Sequence, residues 1–332
     1  MNLPKDFEVS QPPGDTVSSL SFSPQANLLT ATSWNNEVRI YEVQPNGDAL
    51  GRAMYNHDGP VLCSAWSNDG TKVFSGGADN TGRMYDIGSG QSSVIAKHDA
   101  PIKSMRYVQV NNQWVLLTGS WDKTLRYWDL RSPAPVATVN LPERCYSMDS
   151  VQQLMVVATA ERHVLIYDLA NPTTPFQTTI SPLKFQTRVV SCFHDGSGYT
   201  IASIEGRIGI QYMESKNIVN NFTFKCHRDQ HNLYAINDIS FHPTYGTFSS
   251  AGSDGNVHFW DKGSKQRLKT FEKVQNNSIT CTSFNRDGTI FAYAIGYDWS
   301  KGYQNVPAGN PTKIMLSAVK DEDVKPRPAK KK

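Results

Sequence analysis

Three residues, His98, Thr118 and Asp122, bring together the groups of a hydroxyl–imidazole–carboxylate relay, the arrangement that activates a nucleophile. The same set stands earlier in the chain as His57, Ser75 and Asp79, with the same four-residue offset from hydroxyl to acid. Six residues beyond each acid comes an aromatic, Trp128 or Tyr85. A catalytic relay is not copied along a chain, so the sets are expected to be structural locks. In such a lock the acid accepts from the imidazole and from the hydroxyl, pinning a turn to the preceding loop, because buried polar groups need partners. Ser250, Asp254 and Trp260 repeat the set with no histidine at the matching place, and Asn35, Glu161 and Gly206 stand near the acid's place in other repeats. Cys226, His227 and His231 have a nominal metal-ligand spacing, but four ligands are needed and no second pair is in sequence reach. A surface loop with one buried cysteine is expected there, with no metal or other cofactor. Phosphate-cradling glycine loops and paired catalytic carboxylates are not found.

The acid-to-aromatic spacing serves as a ruler for the elements that position these residues. It finds strand-ending aromatics at Tyr41, Tyr85, Trp128, Tyr167, Tyr212 and Trp260, and a seventh strand, Lys313 to Val319, without one. The intervals, about 39 to 55 residues, are those of a four-stranded propeller blade. Each repeat orders an apolar strand, a turn such as Asn68-Asp69-Gly70, and a second apolar strand, and Asp-Gly between alternating strands signals a hairpin. No window sustains a helical stripe. The prediction is an all-β, seven-bladed propeller over residues 1–320, with blades near 14–43, 57–87, 98–130, 141–169, 182–213, 234–261 and 276–319. Residues 6–9 are expected to close the last blade as its outermost strand, removing an exposed edge. The basic end, 321–332, has too little apolar content to pack and is expected to be disordered.

Composition narrows the function classes. With 332 residues, 39% hydrophobic, the chain can bury a large core, and a net charge of +3 leaves any nucleic-acid affinity to local clusters of cations. No apolar run approaches the ~18 residues of a membrane span and no charged-then-apolar leader is seen, so a soluble, non-secreted protein without membrane contact is expected. Five scattered cysteines suggest thiols in a reducing compartment, with Cys63, Cys192 and Cys281 as small core residues.

Several stretches are more specific than a generic blade: Thr118–Arg126, Leu-Pro-Glu-Arg-Cys-Tyr at 141–146, Val157–Arg162, Ser203–Arg207, Asn-Phe-Thr-Phe-Lys-Cys-His-Arg at 221–228, Phe259–Lys262 and Tyr293–Gly302. Together they resemble the WD-repeat messenger-RNA export factors of the nuclear pore, whose sister branch serves the spindle checkpoint. The resemblance implies a WD-repeat propeller without enzymatic activity, acting in the nucleus and at the nuclear envelope and shuttling to the cytoplasm. It also implies two partners, the acidic GLEBS hairpin of a Gly-Leu-Phe-Gly nucleoporin and single-stranded RNA. For the hairpin the residues expected are Trp34 and Trp121, as exposed aromatic anchors, and Arg144, Arg162, Arg207, Lys225 and Arg228, as cations for its glutamates. For RNA they are Arg207, Phe222, Phe224, Trp260, Lys262, Lys265 and Arg267, aromatic faces beside phosphate-neutralising charges. Phe222, Phe224 and Trp260 have core packing as their other reading, Trp260 most of all because it ends a strand. Two other partner classes stand beside these: mitotic-checkpoint proteins, and a cullin ubiquitin ligase through Trp128-Asp129-Leu130-Arg131.

Overall fold

The computed structural model describes residues 6–45, 47–271, 273–274, 277–306, 309 and 312–328. Seven antiparallel four-stranded sheets stand around a central channel lined by their inner strands. Those inner strands are Val17–Phe22, Val61–Trp66, Ile102–Val110, Cys145–Val151, Thr187–Cys192, Ile236–Phe241 and Ser278–Phe284. Each packs against the next, and the last packs against the first, which closes the ring. The core is correspondingly divided: among the described residues, seven apolar clusters each fill one gap between neighbouring blades. All five cysteines are free and buried.

The first described strand, Phe7–Glu8, pairs antiparallel with Lys313–Ala318 in the register Phe7 to Leu316, and so lies at the outer edge of the seventh blade. Val9 donates its amide to the Ile314 carbonyl at 2.8 Å and is buried between the first and last blades.

Two expectations need correction. The blade limits read from the sequence omit the fourth strand of the first six blades. These outer strands, Ala49–Asn56, Ser92–Lys97, Ala137–Asn140, Gln177–Ile180, Phe222–Lys225 and Gln266–Thr270, fall in the intervals between the expected blades. They are largely solvated, so the inward alternation that marks a strand is nearly erased; Gln177–Ile180 has no fully buried residue. The tail is the second correction. Asp321–Val324 forms a helical turn, Val324 is buried in the cluster between blades six and seven, and Arg327 is hydrogen-bonded to blade six. A buried valine and a few polar anchors, Asp323 to Lys269 and Arg327 to Asp261 and Leu268, seat this segment, which mean composition does not show. Ala329–Lys332 lie outside the described residues.

A chain lacking residues 1–9 would lose Val9 and the partly buried Phe7 from the interface between the first and last blades. At about 1.5–3 kcal/mol for a fully buried aliphatic side chain, destabilisation on the order of 3 kcal/mol is expected. Thermal unfolding should show a lowered Tm; an unchanged Tm would mean that this strand does not staple the ring.

Candidate functional site

The relay-like sets assemble as closed hydrogen-bond chains. In blade three the Trp128 indole N–H donates to Thr118 Oγ1 at 2.9 Å, the Thr118 hydroxyl lies 2.7 Å from His98 Nε2, and His98 Nδ1 lies 2.8 Å from Asp122. Burial pushes the Asp122 carboxyl up, but bonds from Thr124, the Asp99 amide and His98 reverse this and hold it below its ordinary value. Burial also lowers the His98 pKa, so a neutral imidazole donates to a charged carboxylate. The hydroxyl therefore contacts the imidazole rather than the acid, which differs from the expected wiring. Blade two repeats the chain through Ser75, His57 and Asp79, with distances of 2.8 and 3.0 Å. Its Tyr85 has no indole N–H. The hydroxyl of Tyr55 from blade one donates to Ser75 at 2.8 Å instead, with the two tyrosine rings stacked at 5.0 Å.

Blade six does have its histidine. His227 lies 2.9 Å from Asp254 through Nδ1 and 2.7 Å from Ser250 through Nε2, while the Trp260 indole donates to Ser250 at 2.8 Å. Cys226 is buried and His231 exposed as expected of this loop, but His227 is buried as well and belongs to the lock; it was hidden because the loop after it is longer than in blades two and three. His227, Asp254 and His258 bring donor atoms within 4.8 Å of one another. Both nitrogens of His227 are nevertheless engaged as in the other two blades, where nothing supplies a second imidazole. Ser75, Thr118 and Ser250 are each 0% exposed, so no substrate can reach these hydroxyls.

The turn beside each lock faces one rim of the propeller. Trp34 and Trp121 occupy the same turn position in blades one and three and are 38% and 37% exposed. Both line a cavity of about 320 Å³ at the channel mouth. Trp34 packs on Trp299 with ring centroids 5.6 Å apart, adding a third indole. The channel side of this mouth has a common origin. Every inner strand slips register by one residue at the same point, and the residues at the slips are Ser18, Leu62, Lys103, Tyr146, Arg188, Asn237 and Thr280. All seven line the cavity. A bulge re-aims its side chain, and seven equivalent bulges make a ring in which Lys103 and Arg188 flank Tyr146. Burial lowers the pKa of both cations. Lys103, Arg188 and Trp299 were not among the expected site residues; recurrence of one position near the start of each inner strand, the second in the first six, is the signal that would have found the two cations.

The expected cations divide by environment. Arg144 lies 5.9 Å over the Tyr146 ring and shares a cleft of about 290 Å³ with Arg162. Arg162 donates to the Ser181 carbonyl, and Arg228 donates to the carbonyls of Glu205 and Gly206, so these two brace blades as well as carry charge. Arg207 faces Lys225 across the strand pair and lies 3.4 Å from Glu205, which, rather than Gly206, holds the acid's place in blade five. Below Arg207, on the side of the propeller, Phe222, Phe224 and Trp260 form a ladder with centroid spacings of 6.0 and 4.8 Å. Lys265 sits 4.6 Å over Phe222, and Lys262 sits 4.7 Å over Phe193. Arg267 lies opposite Trp260 on the outer strand of blade six. All three ladder rings are partly buried against the core, and Trp260 is also a lock member. In the ubiquitin-ligase motif, Arg131 is folded onto Asp129 at 2.5 Å and Trp128 is buried.

Seven four-stranded blades, three of them carrying this lock, define a WD40-repeat propeller. The family described as WD domain, G-beta repeat matches residues 8–42, 50–86, 90–129 and 220–261, leaving most of the unlocked blades four and five unmatched. The chain is 53% identical to the "Poly(A)+ RNA export protein" of Schizosaccharomyces pombe, over 99% of this chain and 95% of that one. It is 50% identical to "mRNA export factor GLE2" of Chaetomium thermophilum, over 100% and 95% of the two chains. With "Protein Rae1" of Drosophila melanogaster it shares 46% identity over 98% and 97%. The chain belongs to this family of WD40-repeat mRNA export factors.

If the histidine chains are equivalent locks, His57→Ala, His98→Ala and His227→Ala should each cost about 2–4 kcal/mol, since each strands a buried carboxylate and hydroxyl. Denaturant unfolding of the three variants tests this; a neutral His227→Ala would contradict it.

His258 gives a pH prediction. It stands where blades two and three have Arg83 and Arg126, and burial, then the neighbouring His227, holds its pKa at about 4. A depressed histidine binds protons more readily when unfolded, so stability is lost as pH falls from the unfolded value near 6.5 towards 4. Between pH 7 and 4.5 this amounts to on the order of 2–3 kcal/mol, and His258→Gln should lose that much less than wild type. Parallel losses in both proteins would contradict the prediction.

Proposed function

We propose that this protein is a non-enzymatic adaptor in nuclear export of polyadenylated messenger RNA, working in the nucleus and at the nuclear pore. It binds the acidic GLEBS hairpin of a Gly-Leu-Phe-Gly nucleoporin across the channel mouth and single-stranded RNA along the side groove. The observation that carries the first interaction is the mouth itself, where three indoles border a ring containing two partly desolvated cations. Exposed tryptophans in a concave rim are suited to anchoring a partner, and arginine captures carboxylates with two parallel bonds. Arg144, Arg162 and Arg207 extend the positive sector outward over blades four and five. The ladder of Phe222, Phe224 and Trp260 with Lys262, Lys265 and Arg267 fits stacking combined with phosphate neutralisation. Full-length similarity to export proteins favours this function over the checkpoint role.

Titration of the purified chain with a synthetic acidic GLEBS-type hairpin tests the first interaction. Arg188→Gln and Arg207→Glu should each weaken binding about tenfold or more, equivalent to about 1.4 kcal/mol. Undiminished affinity in both variants would remove the hairpin from this face. For RNA, affinity for a single-stranded oligonucleotide should fall steeply with salt and drop further in Phe222→Ala/Phe224→Ala; a flat salt response would contradict the groove.

A further inference from the structure

The ring of bulge residues at the channel mouth holds two kinds of polar side chain. Ser18, Asn237 and Thr280 are spent on the fold: they donate to the carbonyls of Val61, Ile279 and Val17, in each case the residue just before the next blade's own bulge. Each staples its blade to its neighbour. Lys103 of blade three and Arg188 of blade five do not follow this pattern. Among the described residues the Lys103 side chain has no hydrogen-bond or ion-pair partner, and the Arg188 guanidinium has one bond, to Asn237 Oδ1 at 3.3 Å. The carboxylates nearby are already satisfied. Asp298 accepts from the Asn237 side-chain amide, the Ser253 hydroxyl and the Ser300 amide. Further into the channel Asp149 pairs with Arg106 at 2.8 Å, and Asp238 accepts from the amides of Ile239 and Thr282. Lys103 and Arg188 line both the mouth cavity and the channel below it. Burial, and beyond it the Arg188 guanidinium, disfavours the charge on Lys103, while burial disfavours that on Arg188 with only Asp298 opposing. Two like charges thus converge in a desolvated throat with donors to spare, which is costly unless an anion joins them.

We propose that Lys103 and Arg188 form a seat for a small phosphate-type oxyanion in the throat of the channel. The seat belongs to the free chain and does not depend on the hairpin reading of the rim above it. A phosphate suits two cations that come from different blades. Its tetrahedral oxygens can accept the parallel N–H pair of the guanidinium on one side and the point charge of the ammonium on another. A carboxylate presents its acceptors in one plane, and a halide offers a single centre. Tyr146, which stands between the two cations in the ring, adds a hydroxyl with no partner among the described residues. The seat also accounts for the residue types. Short hydroxyl and amide side chains at this position hold the ring together, whereas a lysine and an arginine contribute no such bond to the fold and carry their charge into the opening.

Calorimetric titration of the free full-length chain with inorganic phosphate and with pyrophosphate, in low-salt buffer without other multivalent anions, tests this. Saturable binding is expected, tighter for pyrophosphate, with a rise in Tm on saturation. Lys103→Met and Arg188→Met should each weaken binding about tenfold or more. Lys123→Met, which removes a rim cation already paired with Glu143, should leave it unchanged. In anion-free buffer neither throat substitution should lower Tm, because each removes a desolvated charge with no carboxylate in contact; a clear fall in both would show that the protein already neutralises them and would overturn the seat. Absence of saturable binding, or binding that survives both substitutions, overturns it as well. If the free chain takes up no phosphate while both substitutions weaken the acidic hairpin, the two cations serve the hairpin's carboxylates alone, and the seat falls while the hairpin reading stands. Phosphate uptake lost in both variants with hairpin affinity unchanged sustains the seat and removes Arg188 from the hairpin's contacts.

Discussion

The arrangement of the rim depends on an imidazole whose two nitrogens are both spent. In blades two, three and six the ring takes one bond from a buried hydroxyl and gives one to a carboxylate. This fixes the turn between the middle strands to the loop entering the blade. Deleting any member leaves its partners unpaired where water cannot replace them, so the geometry is enforced more strongly than the modest net value of each bond suggests. Where the lock is complete, the turn's exposed residue is free for another purpose, and Trp121 in blade three is the clearest case. Trp34 in blade one reaches the same mouth without a full lock, held by packing at a tilt against Trp299 and by Ser33 donating to the Asp15 carbonyl at 2.8 Å.

Blades four and five depart from the lock in a way that bears on binding. Val157 and Ile201 replace the hydroxyl, and both are wholly buried, so the polar chain has become apolar packing. The acid's place is taken by glutamates, Glu161 and Glu205. Glu161 reaches solvent and Glu205 is drawn to Arg207. Freed from the lock, these turns carry arginines that look outward, next to the cations at the bulges. The side groove continues the same sector, from Arg207 down the Phe224, Phe222 and Trp260 ladder to the Lys262–Lys265 turn.

The seven-fold repeat was legible in the sequence because inner strands and terminal aromatics are buried, and burial imposes alternation. The outer strands were not, since a half-solvated strand such as Gln177–Ile180 tolerates polar residues on both faces. The locks of blades two and three were found by fixed offsets from hydroxyl to acid. His227 escaped because its offset to Asp254 spans a loop whose length nothing local constrains. Trp34 and Trp121 stood out as indoles in turns, whereas Lys103 and Arg188 looked like ordinary strand cations. Only the shared register slip shows that they and Tyr146 face one opening. The C-terminal segment was misjudged for a related reason: mean composition cannot show that Val324 is buried and that Asp323 and Arg327 find partners on blade six.

The central claim is that the locked turns are structural and that the unlocked sector beside the mouth receives the ligand. Amide hydrogen exchange on the free chain and on the chain saturated with the acidic hairpin tests it most directly. The locked turns at 78–81, 121–124 and 253–256 should exchange slowly in both states. The turns at 160–163 and 204–207 should exchange faster when free and slow on binding, together with the mouth around Tyr146 and Arg188. Equal protection of all the turns before binding, or ligand-induced protection confined to the opposite rim, would contradict the account.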